Sequence, residues 1–263
     1  MTMIFKKLPL NLLLLGTVLM LNGCASSGGD IDDDTIQYTA AELYQEAKKN
    51  LNEKDYETAI QLYEKLESRF PYGQYAQRAQ IEVAFAYYKY KEPESAILAA
   101  DRFIKLHPQH ANVDYAYYLR GLARFDTSQS FMHRWFKQDL SERDPKNARR
   151  AFEYFAELIN KYPKSRYTPD AIKRMHILRD NLAKHEIHVA NYYMGRGAYL
   201  SAANRAKYVV ENYQKTPSIA DALAIMVKAY RKLGMTKLAD DALRILELNH
   251  PEHPATRSLK KKS

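Results

Sequence analysis

84-AFAYYKYKEPESAILAADRFIKLHP-108 carries a pattern that recurs along the whole chain. Ala96 stands twelve residues before Pro108, with Ala100 four and Phe103 seven positions after it. That i, i+4, i+7 spacing marks one apolar face of an α-helix. The face is small at its start, where a neighbouring helix must come close, and the helix is ended by a proline that cannot extend it. Three more copies keep the spacing, Ala59 to Pro71, Ala151 to Pro163 and Ala239 to Pro251, and a fifth, Ala202 to Gln214, keeps it without the proline. The matching stripe residues are Tyr63 and Leu66, Phe155 and Leu158, Leu243 and Leu246, and Ala206 and Val209. A recurring helix that cannot bury its own face must stack on copies of itself. The expected fold is all-α, a solenoid of five helix pairs.

Each of these helices is preceded by another apolar-periodic segment, as in 75-YAQRAQIEVAFAYYKYK-91 and 217-PSIADALAIMVKAYRKLG-234, with small or aromatic residues such as Ala84, Tyr87, Tyr117 and Gly121. The pairs resemble tetratricopeptide repeats, whose period is about 34 residues. The intervals between repeat alanines are 37, 55, 51 and 37, so the two middle ones hold insertions of about twenty and about seventeen residues relative to that period. The first, 126-DTSQSFMHRWFKQDLSERD-144, carries the only tryptophan, Trp135, beside Phe131 and Phe136. These rings either dock a partner or pack on the repeat body, since large aromatics are costly to leave in water. The second reads as one long helix. Thr168 is a candidate N-cap with Pro169 at the first helical position, and no Gly or Pro follows until Gly195. The expected organisation is a solenoid over 39–253, three repeats over 39–163 and two over 164–253, joined by this strut, then a solvated basic tail over 254–263.

Lys6 and Lys7 precede an apolar run from Leu8 to Leu21, then Asn22, Gly23, Cys24 and the small, polar 25-ASSGG-29. A basic start with a short apolar run is a signal peptide, here 1–23, too short to remain as a membrane span. Leu21-Asn22-Gly23-Cys24 resembles a bacterial lipobox, with Asn22 a less usual occupant. Cys24 is the only cysteine and has no disulfide partner. Lipidation there accounts for it, and several acyl chains give stable anchoring. In such lipoproteins an Asp after the Cys marks retention in the inner membrane. Ala25 stands there instead, which implies the periplasmic face of an outer membrane. Residues 24–38, with Asp30, Asp32, Asp33 and Asp34, read as a lipidated acidic flexible tether.

Without the two signal lysines and the four tether aspartates the formal charge of +9 becomes +11. A basic solenoid beneath a membrane attracts acidic domains or anionic lipid. Its basic residues are scattered and form no DNA- or RNA-binding motif, so nucleic acid is not an expected partner. Catalysis finds little support. No Gly-rich phosphate loop or nucleophile elbow is present, and His185 and His188 lack the i, i+4 zinc spacing and a third ligand. Neither an enzymatic activity nor a metal or other cofactor is expected.

A closer resemblance lies in 69-RFPYGQYAQRAQ-80, 84-AFAYYKYKEPESAILAADRFIKLHP-108, 114-DYAYYLRGL-122, 141-SERDPKNARRAF-152, 161-KYPKSRYTPDAIKRM-175 and 191-NYYMGRGAYLSAANR-205. Together with the lipobox they resemble the BamD/ComL family, five-repeat lipoproteins of the outer-membrane β-barrel assembly machine. The resemblance implies a scaffold on a periplasmic domain of BamA that joins the other lipoproteins of the complex and helps receive unfolded outer-membrane proteins. In tetratricopeptide arrays the first helix of each pair lines the concave face. On these helices Tyr44 and Lys48 share a face, as do Ile81, Phe85, Tyr88 and Lys89, and Tyr115, Tyr118, Leu122 and Phe125. With Arg78 they form an aromatic and basic strip suited to the C-terminal segment of a barrel protein, whose strands alternate apolar and polar residues. The same rings also serve as repeat core, and both readings stand on the sequence. Arg196, between Gly195 and Gly197, either complements the C-terminal dipole of the strut or pairs with an acidic residue of the scaffold partner. Two other readings are a pilus-assembly pilotin and a peptidoglycan-associated protein.

Overall fold

The computed structural model describes residues 35, 37–128 and 145–260. The signal peptide, Cys24, nearly all of the acidic tether, and Trp135 with most of its insertion lie outside the described residues. From Ala40 onward the chain forms one unit of eleven described helices. In order they are α1 (Ala40–Glu53), α2 (Tyr56–Arg69), α3 (Gln74–Tyr90), α4 (Pro93–Leu106), α5 (Val113–Ser128), α6 (Lys146–Lys161), α7 (Thr168–Gly195), α8 (Tyr199–Asn212), α9 (Ile219–Lys232), α10 (Thr236–Asn249) and α11 (Pro254–Lys260). The first ten make five pairs, α1/α2 to α9/α10, and each helix packs on its neighbours in the chain. The first helices of successive pairs also touch, α1 on α3, α3 on α5, α5 on α7 and α7 on α9, with no comparable contact between second helices among the described residues. This difference turns the first helices to the inner face.

The five second helices end in the same way. Phe70, His107, Tyr162, Tyr213 and His250 are C-caps with φ between −137° and −119°, each donating its N–H to the carbonyl four residues back at 2.8–2.9 Å. A following proline excludes the α region for the residue before it. Tyr213 adopts the same geometry before Gln214, so packing alone is enough to impose it. The turn inside a pair is equally regular. Lys54, Lys91, Gly197 and Gly234, each five residues before a repeat alanine, have φ of 68–73°, the left-handed cap that closes a helix C-terminus.

The repeat alanines Ala59, Ala96, Ala151, Ala202 and Ala239 are all buried, as are the stripe residues beyond them. The long helix α7 serves two cores. Ala171 and Leu178 join the cluster of the second and third pairs, whereas Leu182, Ala183 and Ala190 join that of the fourth and fifth. The strut is thus itself the first helix of the fourth pair. Thr168 is not its N-cap. The helix begins at Thr168 behind Tyr167, and the buried Thr168 hydroxyl instead donates to the Tyr162 carbonyl at 2.9 Å. Thr256 does the same for the His250 carbonyl at 2.8 Å. Residues 254–260, expected as a solvated tail, form α11 and pack on α9 and α10 with Thr256 and Leu259 buried. The end of a solenoid needs such a cap to cover its last apolar surface.

Candidate functional site

On the inner face of the first three pairs, α1 presents Tyr44 and Lys48 four residues apart, toward Glu82 on α3. Lys48 Nζ lies 2.5 and 2.7 Å from the two Glu82 oxygens, and the hydroxyls of Tyr63 and Tyr44 donate to the same carboxylate at 3.0 and 3.3 Å. Tyr44 also packs on Tyr63 and Tyr75 at 6.1 and 5.6 Å between ring centres. Burial, with Glu82 adding to it, pushes the Tyr44 hydroxyl up to about 12 and raises that of Tyr63 as well, so both act as hydrogen-bond donors. Lys48 is therefore neutralised from within.

Beside this cluster opens a cleft of about 350 Å³ lined by Lys48, Ile81, Glu82, Phe85, Asn112, Tyr115, Arg166 and Tyr167. Its far wall is aromatic. Tyr167 stacks on Tyr118 at 4.8 Å with 16° between planes, and Tyr115 packs on Tyr167 at 5.2 Å. The Arg166 guanidinium lies 4.8 Å above the Tyr167 ring with no carboxylate partner among the described residues. Further along, Phe85 packs on Tyr88 at 6.4 Å, and Tyr88 donates to Asp126 at 2.7 Å. Tyr118 and Arg174 both bond Asp170, each at 2.5 Å. Burial pushes the Asp170 carboxyl up, but these two hydrogen bonds and the charges of Arg174 and Lys173 together outweigh it and hold the group below its ordinary value.

The residues expected from the sequence fall into three groups. Phe85 and Tyr115 line the cleft, with Tyr88 packed beside Phe85, and all three are half-buried. Tyr44 and Tyr118 are buried in its walls. Arg78 and Lys89 are exposed and do not line it. Glu82, Arg166 and Tyr167 line the cleft without belonging to the strip expected from the sequence. Glu82 was legible as sharing a helix face with Phe85 and Lys89, whereas Arg166 and Tyr167 come from the loop into α7 rather than from a first helix.

A second surface closes α7. Arg196 is its exposed C-cap and Gly197 takes the left-handed position after it. The Arg196 guanidinium lies 6.0 Å above the exposed Tyr192 ring, and no carboxylate among the described residues pairs with it.

The chain matches the model of the YfiO outer membrane lipoproteins over residues 36–245. It is 48% identical over 239 residues to the outer membrane protein assembly factor BamD of Neisseria meningitidis serogroup B, covering 90% of this chain and 89% of that one. It is 35% identical over 250 residues to BamD of Xylella fastidiosa strain Temecula1, covering 95% and 85%. Among solved structures, the crystal structure of MamA covers 85% of this chain and 92% of its own at 16% identity and a TM-score of 0.39.

Proposed function

The chain belongs to the YfiO family of outer membrane lipoproteins, and from that premise we propose that it is a lipid-anchored receptor and scaffold in outer-membrane β-barrel assembly. It is an outer-membrane protein assembly factor, a subunit of the BAM complex, and it works at the outer membrane. Cys24 carries the lipid and the acidic tether links it to the solenoid. The role is one of binding and positioning, without catalysis. Arg196 docks the C-terminal pairs on an acidic residue of the BamA periplasmic domain, and Trp135 in the insertion contacts a partner, BamA or another lipoprotein of the complex.

The inner cleft receives the C-terminal segments of unfolded barrel proteins. One observation carries this reading: Arg166, a guanidinium without a carboxylate partner among the described residues, lines a cleft walled by Phe85, Tyr115 and Tyr167. An aromatic side chain packs on those rings and the terminal carboxylate pairs with Arg166. Lys48, held by Glu82, contributes shape more than charge. With photo-crosslinking probes at Phe85 or Tyr115, a peptide of alternating apolar residues ending in Phe labels the chain. Amidating its C-terminus or introducing Arg166→Glu weakens labelling severalfold. Equal labelling by a scrambled peptide would sink the assignment.

A further inference from the structure

The outward face of α10 departs from its counterparts. Aligned on the repeat alanines, the outward positions of α2 are Glu57, Thr58, Glu64, Lys65 and Ser68, all polar. In α10 they are Lys237, Leu238, Arg244, Ile245 and Leu248. Leu248 is 75% exposed, Leu238 48% and Ile245 43%. Leu200 and Tyr208 on the outward face of α8 are also exposed. The helix α10 thus has two apolar faces. One, with Ala239, Ala242, Leu243 and Leu246, is in the core, and the other is in water.

The exposed face is not the seat of a missing repeat. Ala203 and Val210, by which α8 packs into the cores it shares with α9, correspond to Asp240 and Glu247 in α10, and α11 closes that end. The helix α10 itself holds Lys237 and Arg244 against Asp240, Asp241 and Glu247, but the C-terminal pairs as a whole are basic. Residues 40–128 hold 12 Lys and Arg against 13 Asp and Glu, net −1, whereas residues 168–263 hold 17 against 9, net +8. Among the described residues no helix is long and apolar enough to cross a membrane. Aliphatic side chains flanked by Lys and Arg are the pattern of a helix lying in a lipid interface, and basic residues near an anionic leaflet add to its binding. Protein hot spots favour Trp, Tyr and Arg and under-represent Leu. Asp241, within the stripe, is offset by Arg244 at 3.0 Å.

We propose that the outward face of α10, continued by α8, is a second membrane contact that binds anionic phospholipid and lays the C-terminal pairs against the leaflet. This contact is separate from the inner cleft and from the acyl chains at Cys24. The test uses the full mature chain with Cys24→Ser, which carries no acyl group, floated with vesicles of phosphatidylethanolamine containing phosphatidylglycerol or, as control, phosphatidylcholine. The chain floats with the phosphatidylglycerol vesicles, and salt weakens the association. Two double variants, Lys237→Glu with Arg244→Glu and Leu238→Asp with Leu248→Asp, each lower the bound fraction about tenfold with an unchanged melting temperature. Failure of the unacylated chain to float, or flotation of both variants equal to that of the parent, overturns the proposal. So does loss of co-purifying proteins from the variants with vesicle binding intact, which would assign the face to a protein partner.

Discussion

Gly121 lies inside α5, where a glycine costs helix stability relative to alanine, about 1 kcal/mol. The reason is its neighbour. A Cβ at Gly121 would overlap the Phe155 ring, which is fully buried and cannot give way. The glycine therefore lets α5 and α6 approach closely, and Phe155 fills the space between them. Gly121→Ala is expected to destabilise the protein by about 1–3 kcal/mol despite its better helix propensity, the usual cost of overpacking. Phe155→Leu in the same chain should recover part of the loss, and urea unfolding of the two single variants and the double measures the coupling. Additive losses would mean that the two side chains do not share this space.

Helix α7 is held at its middle by charge as well as by packing. Glu186 is 1% exposed and accepts from Arg149 of α6 at 3.2 Å and from Arg205 of α8 at 3.0 Å. It sits where α7 passes from the core of the third pair to that of the fourth. The two arginines are half-exposed and can rehydrate, so the loss from removing the acid differs from the loss from removing the bases. Glu186→Gln is expected to cost about 1–3 kcal/mol. Arg149→Ala with Arg205→Ala leaves a buried carboxylate without a counter-charge and should cost more, about 3–5 kcal/mol. Denaturant midpoints rank the two, and the reverse order would mean that Glu186 is not held as an ion. On α5, Arg120 is similarly buried, pairing with Asp101 and Glu157 at 2.6 Å each between the rings of Tyr117 and Tyr154.

Across the whole molecule, the inner cleft lies among the first three pairs and the entry to α7, which supplies Arg166 and Tyr167. Arg196 closes the other end of that helix, so the proposed receptor and docking surfaces sit at opposite ends of α7. Arg196→Glu should leave the melting temperature nearly unchanged, because its side chain is exposed and pairs with no carboxylate among the described residues. Binding to the periplasmic domain of BamA should weaken by about 2–5 kcal/mol, the range for a broken hydrogen-bonded pair at an interface. A compensating Glu→Arg or Asp→Arg change in the partner should restore it. Affinity measured by calorimetry on the purified pair decides the matter, and unaltered binding would reduce Arg196 to a helix cap.

The alanine-to-proline spacing and its i, i+4, i+7 stripe determined the all-α fold, because helical periodicity is local and the buried side of each helix follows from a few residues around its own turn. The resemblance of the quoted segments to BamD likewise lies in the sequence alone. What the stripe could not contain is which residue each face meets. Lys48 reads as a free cation until α1 is packed on α3 and Glu82 claims it. Arg166 lies in a loop and acquires a role only when the approach to α7 sets it beside Tyr115 and Phe85. The run from 254 onward reads as a basic tail until Leu259 finds the ridge of α9 and α10. Periodicity states how a helix is oriented, whereas the register between helices is set by packing volume and charge pairing among residues distant in the chain, and only the tertiary structure decides it.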